Sequence, residues 1–313
     1  MSDWLVALAV GYVLDLLLGD PAWLYHPVII IGKYISLAEK KLRARGGNLR
    51  RSAVLLTVST VLLTMAVVGV LLWALSLLGR WPLFVGMALL DWMGLAVKCM
   101  ADEARGVEKA LHQGVEAGRN QVARIVGRDT AQLDEQEIIK ATIETVSENT
   151  TDGVISPMIY AALGGPVLLW GFKAASTLDS MVGYLDEKYR DIGWSSARLD
   201  DVLNFIPARI TAVLMCLVAP LCCLDGRNAW RIVRRDHANH LSPNCAWSES
   251  AAAGAMHIQL GGTHLYFGKP VVKPTIGDDD REAKAGDIAA ANRLLYVSSI
   301  MMLAIILLGG LLL

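Results

Sequence analysis

Long stretches without any charged residue are the feature of this chain that most constrains its fold. Residues 52–79 form such a stretch between Arg51 and Arg80, and residues 153–172 and 294–313 also lack charge. A helix needs about 20 mostly apolar residues to cross a bilayer, and only helices and closed barrels satisfy their backbone hydrogen bonds there. We therefore predict an all-α, polytopic helical membrane protein.

Two further stretches are nearly as apolar. Residues 82–97 are interrupted only by Asp91, and residues 202–224 only by Arg209. We predict membrane helices in both, because a single ionisable group is tolerated in such a helix where it is paired or faces the protein interior. For Asp91 we expect a structural pairing. The net charge of −1 gives no sign of nucleic-acid binding, and we predict no nucleic-acid partner.

Basic residues between these stretches set the predicted orientation. Lysines and arginines crowd residues 33–51, where only Glu39 opposes them, and arginines recur in residues 227–235. Because loops rich in Lys and Arg stay on the cytoplasmic side, we predict a protein of the inner cell membrane whose main polar loops are cytoplasmic. The prediction is one integral membrane domain over residues 1–313, with a helical cytoplasmic loop at about 100–150, a polar active-site loop at about 173–201 and a cytoplasmic loop at about 225–293.

Helix-breaking residues interrupt the stretch 153–172. Pro157 and the Gly-Gly-Pro trio at 164–166 disfavour a straight helix. Irregular backbone at membrane depth is tolerated only against protein or a water-filled cavity. Either the stretch spans fully and places 173–201 outside, or it is re-entrant or broken and keeps 144–152 and 173–201 together. We favour the second arrangement.

Residues 257–276 follow a different pattern. Apolar residues alternate there, Gly261 and Gly262 are adjacent, and prolines stand beside lysines. Such a pattern is typical of short extended segments joined by a turn. We predict a small β-hairpin near 257–276.

Glu144, Glu148 and Asp152 follow one another at intervals of four residues. They share one face of a helix, because residues four apart lie above one another. The simplest interpretation is a solvated face, opposite the apolar stripe of that helix. The helix also leads into the apolar residues that start at Gly153, where Asp-Gly suits a helix end. Carboxylates at such a boundary, beside Asn149, offer the oxygen ligands that Mg²⁺ prefers.

A second group of polar residues lies between positions 173 and 209. Arg209 stands inside an apolar stretch, and ionisable groups at membrane depth are functional candidates. The alternative is a structural ion pair with Asp200 or Asp201. The other candidates in this group are Lys173, Asp179, Tyr184, Arg190, Arg198 and Asn204.

A third group occupies residues 236–244, Asp-His-Ala-Asn-His-Leu-Ser-Pro-Asn. The spacing of its two histidines would serve zinc, but no third ligand stands at a telling distance. Hydrogen bonds and charge contacts to an anionic ligand suit these residue types better. The candidates are His237, Asn239, His240, Ser242 and Asn244, with Glu249 behind them, and Asp20 with His26 form a similar polar turn after the first helix.

Several short segments are distinctive when they are taken together. They are Asp15, Gly-Asp-Pro (19–21) and His-Pro-Val (26–28), then 144–157, 177–184, 197–209 and 236–244, and finally Leu-Gly-Gly (260–262) and Tyr-Phe-Gly (266–268). In this order they resemble the adenosylcobinamide-phosphate synthase family of cobalamin-biosynthesis membrane proteins. The resemblance covers nearly the whole chain. The chain differs from the family at Ser176 and Asp186, where Asn is usual.

The resemblance implies a reaction and its participants. Adenosylcobyric acid and aminopropanol phosphate, or aminopropanol, would be joined by an amide bond to give adenosylcobinamide phosphate. A carboxylate does not acylate an amine directly, so ATP would first convert it into an acyl phosphate, with Mg²⁺ as cofactor. The chain carries none of the nucleotide-binding motifs that can be read from sequence. The implied partners are adenosylcobyric acid, aminopropanol phosphate, membrane lipid and other membrane-associated enzymes of cobalamin synthesis.

The implied reaction also suggests roles for the candidate residues. The catalytic candidates are Glu144, Glu148 and Asp179, with His237 or His240 as the base that deprotonates the incoming ammonium group. The metal candidates are Glu144, Glu148, Asp152, Asp200 and Asp201. Phosphates would meet Lys173, Arg190, Arg198 and Arg209. The other substrate-binding candidates are Asp20, His26, Asn149, Tyr184, Asn204, Asn239, Ser242, Asn244, Glu249, Gly261 and Gly262.

Two other functions stay open at this point. A broken helix near 157–166 and a charged Arg209 suit a transporter of corrinoid or another anion. The polar loops, however, are longer and richer in acids, His and Asn than simple connections. The second alternative is a non-catalytic membrane scaffold for corrin-pathway enzymes. The preference for an amide ligase rests mainly on the resemblance.

Overall fold

The structure, a computed structural model, describes residues 2–21, 23–184, 186–266 and 268–312. Phe267 of the Tyr-Phe-Gly segment lies outside the described residues. The chain divides into two compact units. Unit 1 comprises Met1–Ala96, Ser156–Asn204 and Leu303–Leu313, and unit 2 comprises Val97–Ile155 and Phe205–Met302.

Helices account for most of the described chain. In chain order they are α1 (Asp3–Leu18), α2 (Pro27–Ala44), α3 (Leu49–Leu77), α4 (Arg80–Gly94), α5 (Val97–Leu111), α6 (Val115–Val122), α7 (Glu135–Asn149), α8 (Ser156–Val182), α9 (Trp194–Leu203), α10 (Phe205–Val218), α11 (Gly226–Asp236), α12 (Cys245–Met256) and α13 (Ala285–Leu312). A π-helical turn, Thr150–Ile155, follows α7, and a 3₁₀ turn, Ala219–Cys222, follows α10. The strands β1 (Leu260–Tyr266) and β2 (Lys269–Ile276) pair antiparallel. The predicted all-α class and the predicted hairpin are confirmed.

Within the described ranges, five helical stretches are long and apolar enough to cross a membrane. On α3 the side chains of Val67, Val70 and Leu77 are more than half exposed, at 59%, 61% and 69%. A continuous exposed apolar surface of this kind marks a face that contacts lipid or protein. The predicted multi-pass membrane protein is confirmed. The five stretches are Leu49–Leu77, Arg80–Leu111, Glu135–Val182, Phe205–Cys222 and Ala285–Leu312.

Side chains that accept backbone N–H groups fix where helices begin. Asn48 accepts the N–H groups of Arg50 and Arg51 at the start of α3, at 2.9 and 3.2 Å. Asp134 and Glu137 form a reciprocal capping box at the start of α7. These contacts satisfy N–H groups that a helix leaves unpaired in its first turn. The capping box therefore sets the start of α7, on which the position of its acids depends.

In unit 1, α1 packs against α4, and α8 packs against α3 and α4. Gly11 lies so close to Ala88 and Asp91 that a side chain there would not fit. The indole of Trp170 donates to the carbonyl oxygen of Leu90 at 3.1 Å, which ties α8 to α4. Asp91 is fully buried, and its carboxylate oxygens have no hydrogen-bond partner among the described residues. The pairing expected for Asp91 is therefore not found.

The break predicted in the middle of the chain lies at two glycines of α8. Gly164 has φ −156° and ψ 28°, and Gly165 has φ 62° and ψ −161°, so neither is helical. The second conformation is one that glycine adopts without steric cost. Helix continues through Pro157, the second residue of α8, which directly follows the π-helical turn Thr150–Ile155. The predicted break at 164–166 is confirmed and the one at Pro157 is wrong.

In unit 2, α11 packs along α12, and α7 and α10 also pack against α12. Gly254 lets α12 approach Ala229 closely, and the Asn228 amide donates to the Gly254 carbonyl oxygen at 2.8 Å. The helix end predicted at Asp152-Gly153 is wrong. The chain continues instead through the π-helical turn, a wider turn that is frequent at functional sites.

Candidate functional site

Glu144 is buried within unit 2. Only 6% of it is exposed, although the sequence favoured a solvated face. Its Oε2 pairs with the guanidinium of Arg128, and its Oε1 accepts the N–H of Gly261 at 2.8 Å. The acidic side of α7 is buried because β1 and α12 both pack against this helix. Glu144 is thus a buried carboxylate whose charge and hydrogen bonds are both matched.

Two more carboxylates lie beside Glu144. The thiol of Cys245 donates to Oε1 of Glu148 at 3.1 Å, and Glu249, one turn further along α12, is only 4% exposed. Burial raises the pKa of Glu249 well above its usual range, and the charges of Glu144 and Glu148 raise it further. Burial also raises the pKa of Cys245, and the charges of Glu148, Glu249 and Asp152 add to this, so its sulfur stays a protonated donor. Arg128 acts in the opposite direction on Glu249, with a smaller effect.

The hydrogen bonds of His237 and His240 decide which ring nitrogen carries a proton. Nδ1 of His237 lies 3.0 Å from the carbonyl oxygen of Val233, so Nδ1 is the donor and Nε2 keeps its lone pair. Nδ1 of His240 instead accepts the N–H of Ser242 at 3.0 Å, so the proton of its neutral ring sits on Nε2. Burial, followed by the charge of Lys273, lowers the pKa of His240 to about 4. The neutral ring of His237 therefore carries its lone pair on Nε2, whereas that of His240 carries an N–H donor there.

Arg209 is held between aromatic rings of unit 2. Its guanidinium lies 3.5 Å from the ring centroid of Phe205 and 4.6 Å from that of Trp247. Nη1 donates to the Phe205 carbonyl oxygen at 2.5 Å and to Oδ1 of Asn244 at 3.4 Å. The ring of His237 lies on the same indole, with centroids 4.4 Å apart. Cation–π contacts and these acceptors explain how a charge is accommodated in the apolar α10.

Two residues of the segment 236–244 hold the hairpin in place. The Asn239 amide donates to the carbonyl oxygen of Thr275 at 3.0 Å. Asp236 accepts the N–H of Gly277 at 2.8 Å and pairs with Arg235 at 2.7 Å. These contacts fix the end of β2. The substrate-binding role predicted for Asn239 therefore has a structural alternative.

In unit 1, the predicted site residues His26, Asp20 and Lys173 lie near one another. Nδ1 of His26 accepts the N–H of Val28 at 3.2 Å and caps α2, while its Nε2 donates to the Met93 carbonyl oxygen at 2.8 Å and lies 4.0 Å from Asp20. Burial lowers the pKa of His26; Asp20 opposes this effect and Lys173 adds to it. The result is a neutral imidazole beside one acid and one base.

A second polar group of unit 1 surrounds the buried Asn204. Its amide donates to Oδ2 of Asp200 at 3.0 Å, and its Oδ1 accepts the hydroxyl of Ser156 at 2.6 Å. Asp201 lies 3.5 Å from Arg198, whose side chain is 77% exposed. Burial raises the pKa of Asp201, against the opposing charge of Arg198. Asn204 is thus a structural link between α9 and the start of α8.

The other predicted residues have local partners or face solvent. Asn149 donates its amide to the carbonyl oxygen one helical turn earlier at 2.9 Å, and Ser242 accepts the N–H two residues later at 3.2 Å. Tyr184 and Arg190 are exposed, and Asp179 is half-buried. None of these positions contradicts a role in binding, which stays a prediction.

The acids of unit 2 do not make the predicted magnesium site. Both carboxylate oxygens of Glu144 are engaged, one by Arg128 and one by Gly261. In the part of the chain that the structure describes, no group of three or more His, Cys, Asp or Glu side chains is arranged to hold a metal ion. Mg²⁺ requires several oxygen ligands in octahedral geometry. The set Glu144, Glu148 and Asp152 therefore does not fit Mg²⁺, and a role for the ion stays a prediction.

In unit 2, several predicted site residues lie close to ionisable residues that the sequence did not indicate. The predicted members are Glu144, Glu148, His240, Glu249 and Gly261. The members that sequence reasoning did not single out are Arg128, Cys245, His264 and Lys273. We call this set the polar cluster. The period-two pattern of the hairpin was the available signal for His264 and Lys273, whereas Arg128 stands in a segment of mixed charge that gives no such signal.

Comparisons with known proteins identify relatives over almost the whole chain. A family model described as CobD/Cbib protein matches residues 8–295. Cobalamin biosynthesis protein CobD of Geobacter metallireducens is 49% identical over 284 residues, which cover 90% of this chain and 89% of the relative. The protein of that name from Listeria monocytogenes serovar 1/2a is 46% identical, covering 92% and 93%, and cobalamin biosynthesis protein CbiB of Salmonella typhimurium is 42% identical, covering 96% of both chains. No solved structure matches significantly.

Proposed function

The chain belongs to the CobD/CbiB family, and on that premise we propose that it forms the amide bond of adenosylcobinamide phosphate. The relatives named above are cobalamin biosynthesis proteins, which supports a role in that pathway. The proposed reaction joins adenosylcobyric acid to aminopropanol phosphate, or to aminopropanol, and consumes ATP.

The observation that carries this proposal is the polar cluster. Burying a carboxylate costs free energy unless it is paired, so a scaffold or a simple anchor has no use for a buried acid such as Glu249, which is only 4% exposed. The pKa of Glu249 is raised and that of His240 is lowered to about 4, within the same cluster. Ionisable groups whose environments push their pKa values apart are typical of acid–base sites.

Amide formation from a carboxylate requires a better leaving group. A carboxylate oxygen of adenosylcobyric acid attacks the γ-phosphorus of ATP, which releases ADP and leaves an acyl phosphate. The amine nitrogen then attacks the acyl carbon, and the bond between that carbon and the phosphate oxygen breaks. Only a neutral amine can attack, so a base must first take a proton from the ammonium group. We assign this step to Nε2 of His237, the nitrogen that keeps its lone pair.

The acids of the cluster suit the ammonium group of the amine. Burial raises the pKa of Glu249, and the charges of Glu144 and Glu148 raise it further, against the smaller opposing effects of Lys273 and Arg128. An ammonium group that binds beside Glu148 and Glu249 supplies the missing positive charge and stabilises their ionised forms. The amine would therefore be held by ion pairs before it is deprotonated.

The location in the cell is part of the proposal. We place the protein in the inner membrane with its main polar loops in the cytoplasm, where ATP and Mg²⁺ are present. The basic residues of 33–51 and 227–235 support this orientation. Lipid and other membrane-associated enzymes of the pathway are the proposed partners.

The proposal is tested by reconstituting the protein in lipid with adenosylcobyric acid, aminopropanol phosphate, Mg²⁺ and ATP, and detecting the amide by mass. We expect ATP-dependent product. Glu148→Gln should lose about tenfold to hundredfold in kcat/KM, because a hydrogen bond to a charged group contributes roughly 1.5–3 kcal/mol.

Glu116→Gln is the matched control, since the Glu116 side chain is 77% exposed and belongs to the same unit. Its activity should equal that of the unmodified protein. Folded protein that binds the corrinoid but yields no amide would contradict the proposal and favour a transporter or a scaffold.

A further inference from the structure

Arg128 presents a buried nitrogen that no hydrogen bond uses. The residue is 8% exposed, and one terminal nitrogen, Nη2, pairs with Glu144. The other, Nη1, is buried and has no hydrogen-bond partner within the described ranges. An unmatched guanidinium donor in a protein interior costs free energy, so this nitrogen points to an acceptor that binds there.

His264 is a second buried side chain whose nitrogens make no hydrogen bond among the described residues. It is 7% exposed. The charges of Arg128 and Glu144 both act on its ring, which places His264 beside their ion pair. Burial, followed by the charge of Arg128, lowers the pKa of His264. An anion between the two side chains would reverse this effect and turn the ring into a charged donor.

The register of the hairpin places a third basic side chain, Lys273, on the same side. Lys273 pairs with Gly262 and Val271 pairs with His264, so Lys273 and His264 are diagonal neighbours on one face of the sheet. Gly262 has open space where a side chain would stand, which leaves room beside both residues. The charge of Lys273 also acts on His240, Glu249 and His264.

Within the described residues, the acids of the cluster do not occupy Nη1 of Arg128 or the ring nitrogens of His264. Glu144 is matched by Arg128 and Gly261, and Glu148 accepts the thiol of Cys245. Glu249 favours its protonated form. The cluster therefore has two sides, with carboxylates on α7 and α12 and basic side chains at Arg128 and along the hairpin.

We propose that Arg128, His264 and Lys273 form a binding site for the phosphate group of a phosphate monoester. The Arg128 Nη1 and the His264 ring donate to phosphate oxygens, and the Lys273 ammonium supplies a point charge. These contacts satisfy the buried donors and place the phosphate a short distance from the acids proposed to hold an ammonium group. The site rests on the proposed function only for the identity of the phosphate compound, which is either the amine substrate or the nucleotide.

The binding itself is tested with inorganic phosphate on the full chain in nanodiscs, by titration calorimetry at neutral pH. His264→Phe keeps the ring and removes both nitrogens, and Arg128→Lys keeps the charge and removes the second donor. We expect each to weaken phosphate binding by about tenfold or more, the loss of one hydrogen bond to a charged group. His257→Phe is the matched control, because His257 is exposed and bonds to Asp225 and Asp280.

No phosphate binding by the unmodified protein, or equal binding by His264→Phe and His257→Phe, overturns the site. Circular dichroism and gel filtration establish that each variant is folded. Should Arg128→Lys fail to fold, because it also disturbs Glu144, His264→Phe decides the question, since its ring makes no hydrogen bond within the described chain.

Steady-state kinetics separate the two sources of phosphate. If the amine carries it, His264→Phe raises KM for aminopropanol phosphate and leaves KM for ATP and for free aminopropanol unchanged. If ATP carries it, only KM for ATP rises. Unchanged KM values for all three contradict the site. Normal phosphate binding by a protein that makes no amide would instead contradict the proposed function and leave the site intact.

Discussion

The charge of a buried side chain in this protein is set by the few groups around it. Glu144 has both carboxylate oxygens engaged, one by Arg128 and one by the Gly261 N–H. Glu249, on the neighbouring helix, has its pKa raised by burial and by the charges of Glu144 and Glu148. Two carboxylates in one cluster can thus take different roles, one structural and one available for binding a cation.

The two histidines of the 236–244 segment, His237 and His240, should also take different roles in the reaction. We expect His237→Gln to reduce the rate of amide formation by about a hundredfold, because general base catalysis contributes at least that much. His240→Gln should have a much smaller effect, since Nδ1 of His240 is occupied by Ser242.

The pH dependence of kcat/KM provides the measurement. The pKa of His240 is lowered to about 4, so it does not titrate near neutral pH, and His240→Gln should keep the acid limb of the profile. Loss of that limb in His240→Gln, with a normal profile in His237→Gln, would contradict the assignment.

Some residues of the candidate site could be predicted from the sequence and others could not. Regular spacing singled out Glu144 and Glu148, because side chains four apart share a helical face. Spacing does not reveal whether another element covers that face, so the burial of Glu144 was not foreseen. Arg128 was missed because its partner lies in a different element, and a single sequence shows no pairing across such a distance.

At the scale of elements, the hairpin joins the parts of the polar cluster. Its first strand donates the Gly261 N–H to Glu144 and carries His264, and its second strand carries Lys273. Asn239 and Asp236 fix its far end through Thr275 and Gly277. The position of the hairpin therefore determines the environment of Glu144.

This dependence predicts an effect of Gly261→Ala. Gly261 has φ +77°, and an added Cβ would collide with the carbonyl oxygen of Pro274. We expect a loss of stability larger by about 1 kcal/mol or more than that of Gly268→Ala, which has φ +73° but open space around it. Thermal or denaturant unfolding of both variants measures the difference, and equal losses would show that the close contact at Gly261 is unimportant.

Elements were predictable where composition alone decides them. Charge-free stretches marked the membrane helices, and alternation marked the hairpin, because both patterns reflect burial along one segment. The π-helical turn at 150–155 was not predicted, since the residues Thr-Thr-Asp-Gly are equally compatible with a helix end. Which of the two occurs depends on the packing of unit 2 around the segment.

At the scale of the whole molecule, this member of a family of cobalamin biosynthesis proteins has a membrane fold that carries buried ionisable groups. Unit 1 carries two polar groups, around His26 and around Asn204, and unit 2 carries the polar cluster around Glu144. The reaction that we propose accounts for the acids, the histidines and the cations of unit 2 together. A transporter would use the same groups for binding, without breaking or forming a covalent bond.

The transfer of oxygen from substrate to phosphate tests the central claim most directly. Adenosylcobyric acid labelled with heavy oxygen in the reacting carboxylate is incubated with aminopropanol phosphate, Mg²⁺, ATP and the protein in lipid. The account predicts one amide per ADP and a single labelled oxygen in the released inorganic phosphate, because the acyl phosphate forms at that oxygen. Amide without ADP, or phosphate without label, would contradict an acyl phosphate, and the absence of any amide would contradict the ligase itself.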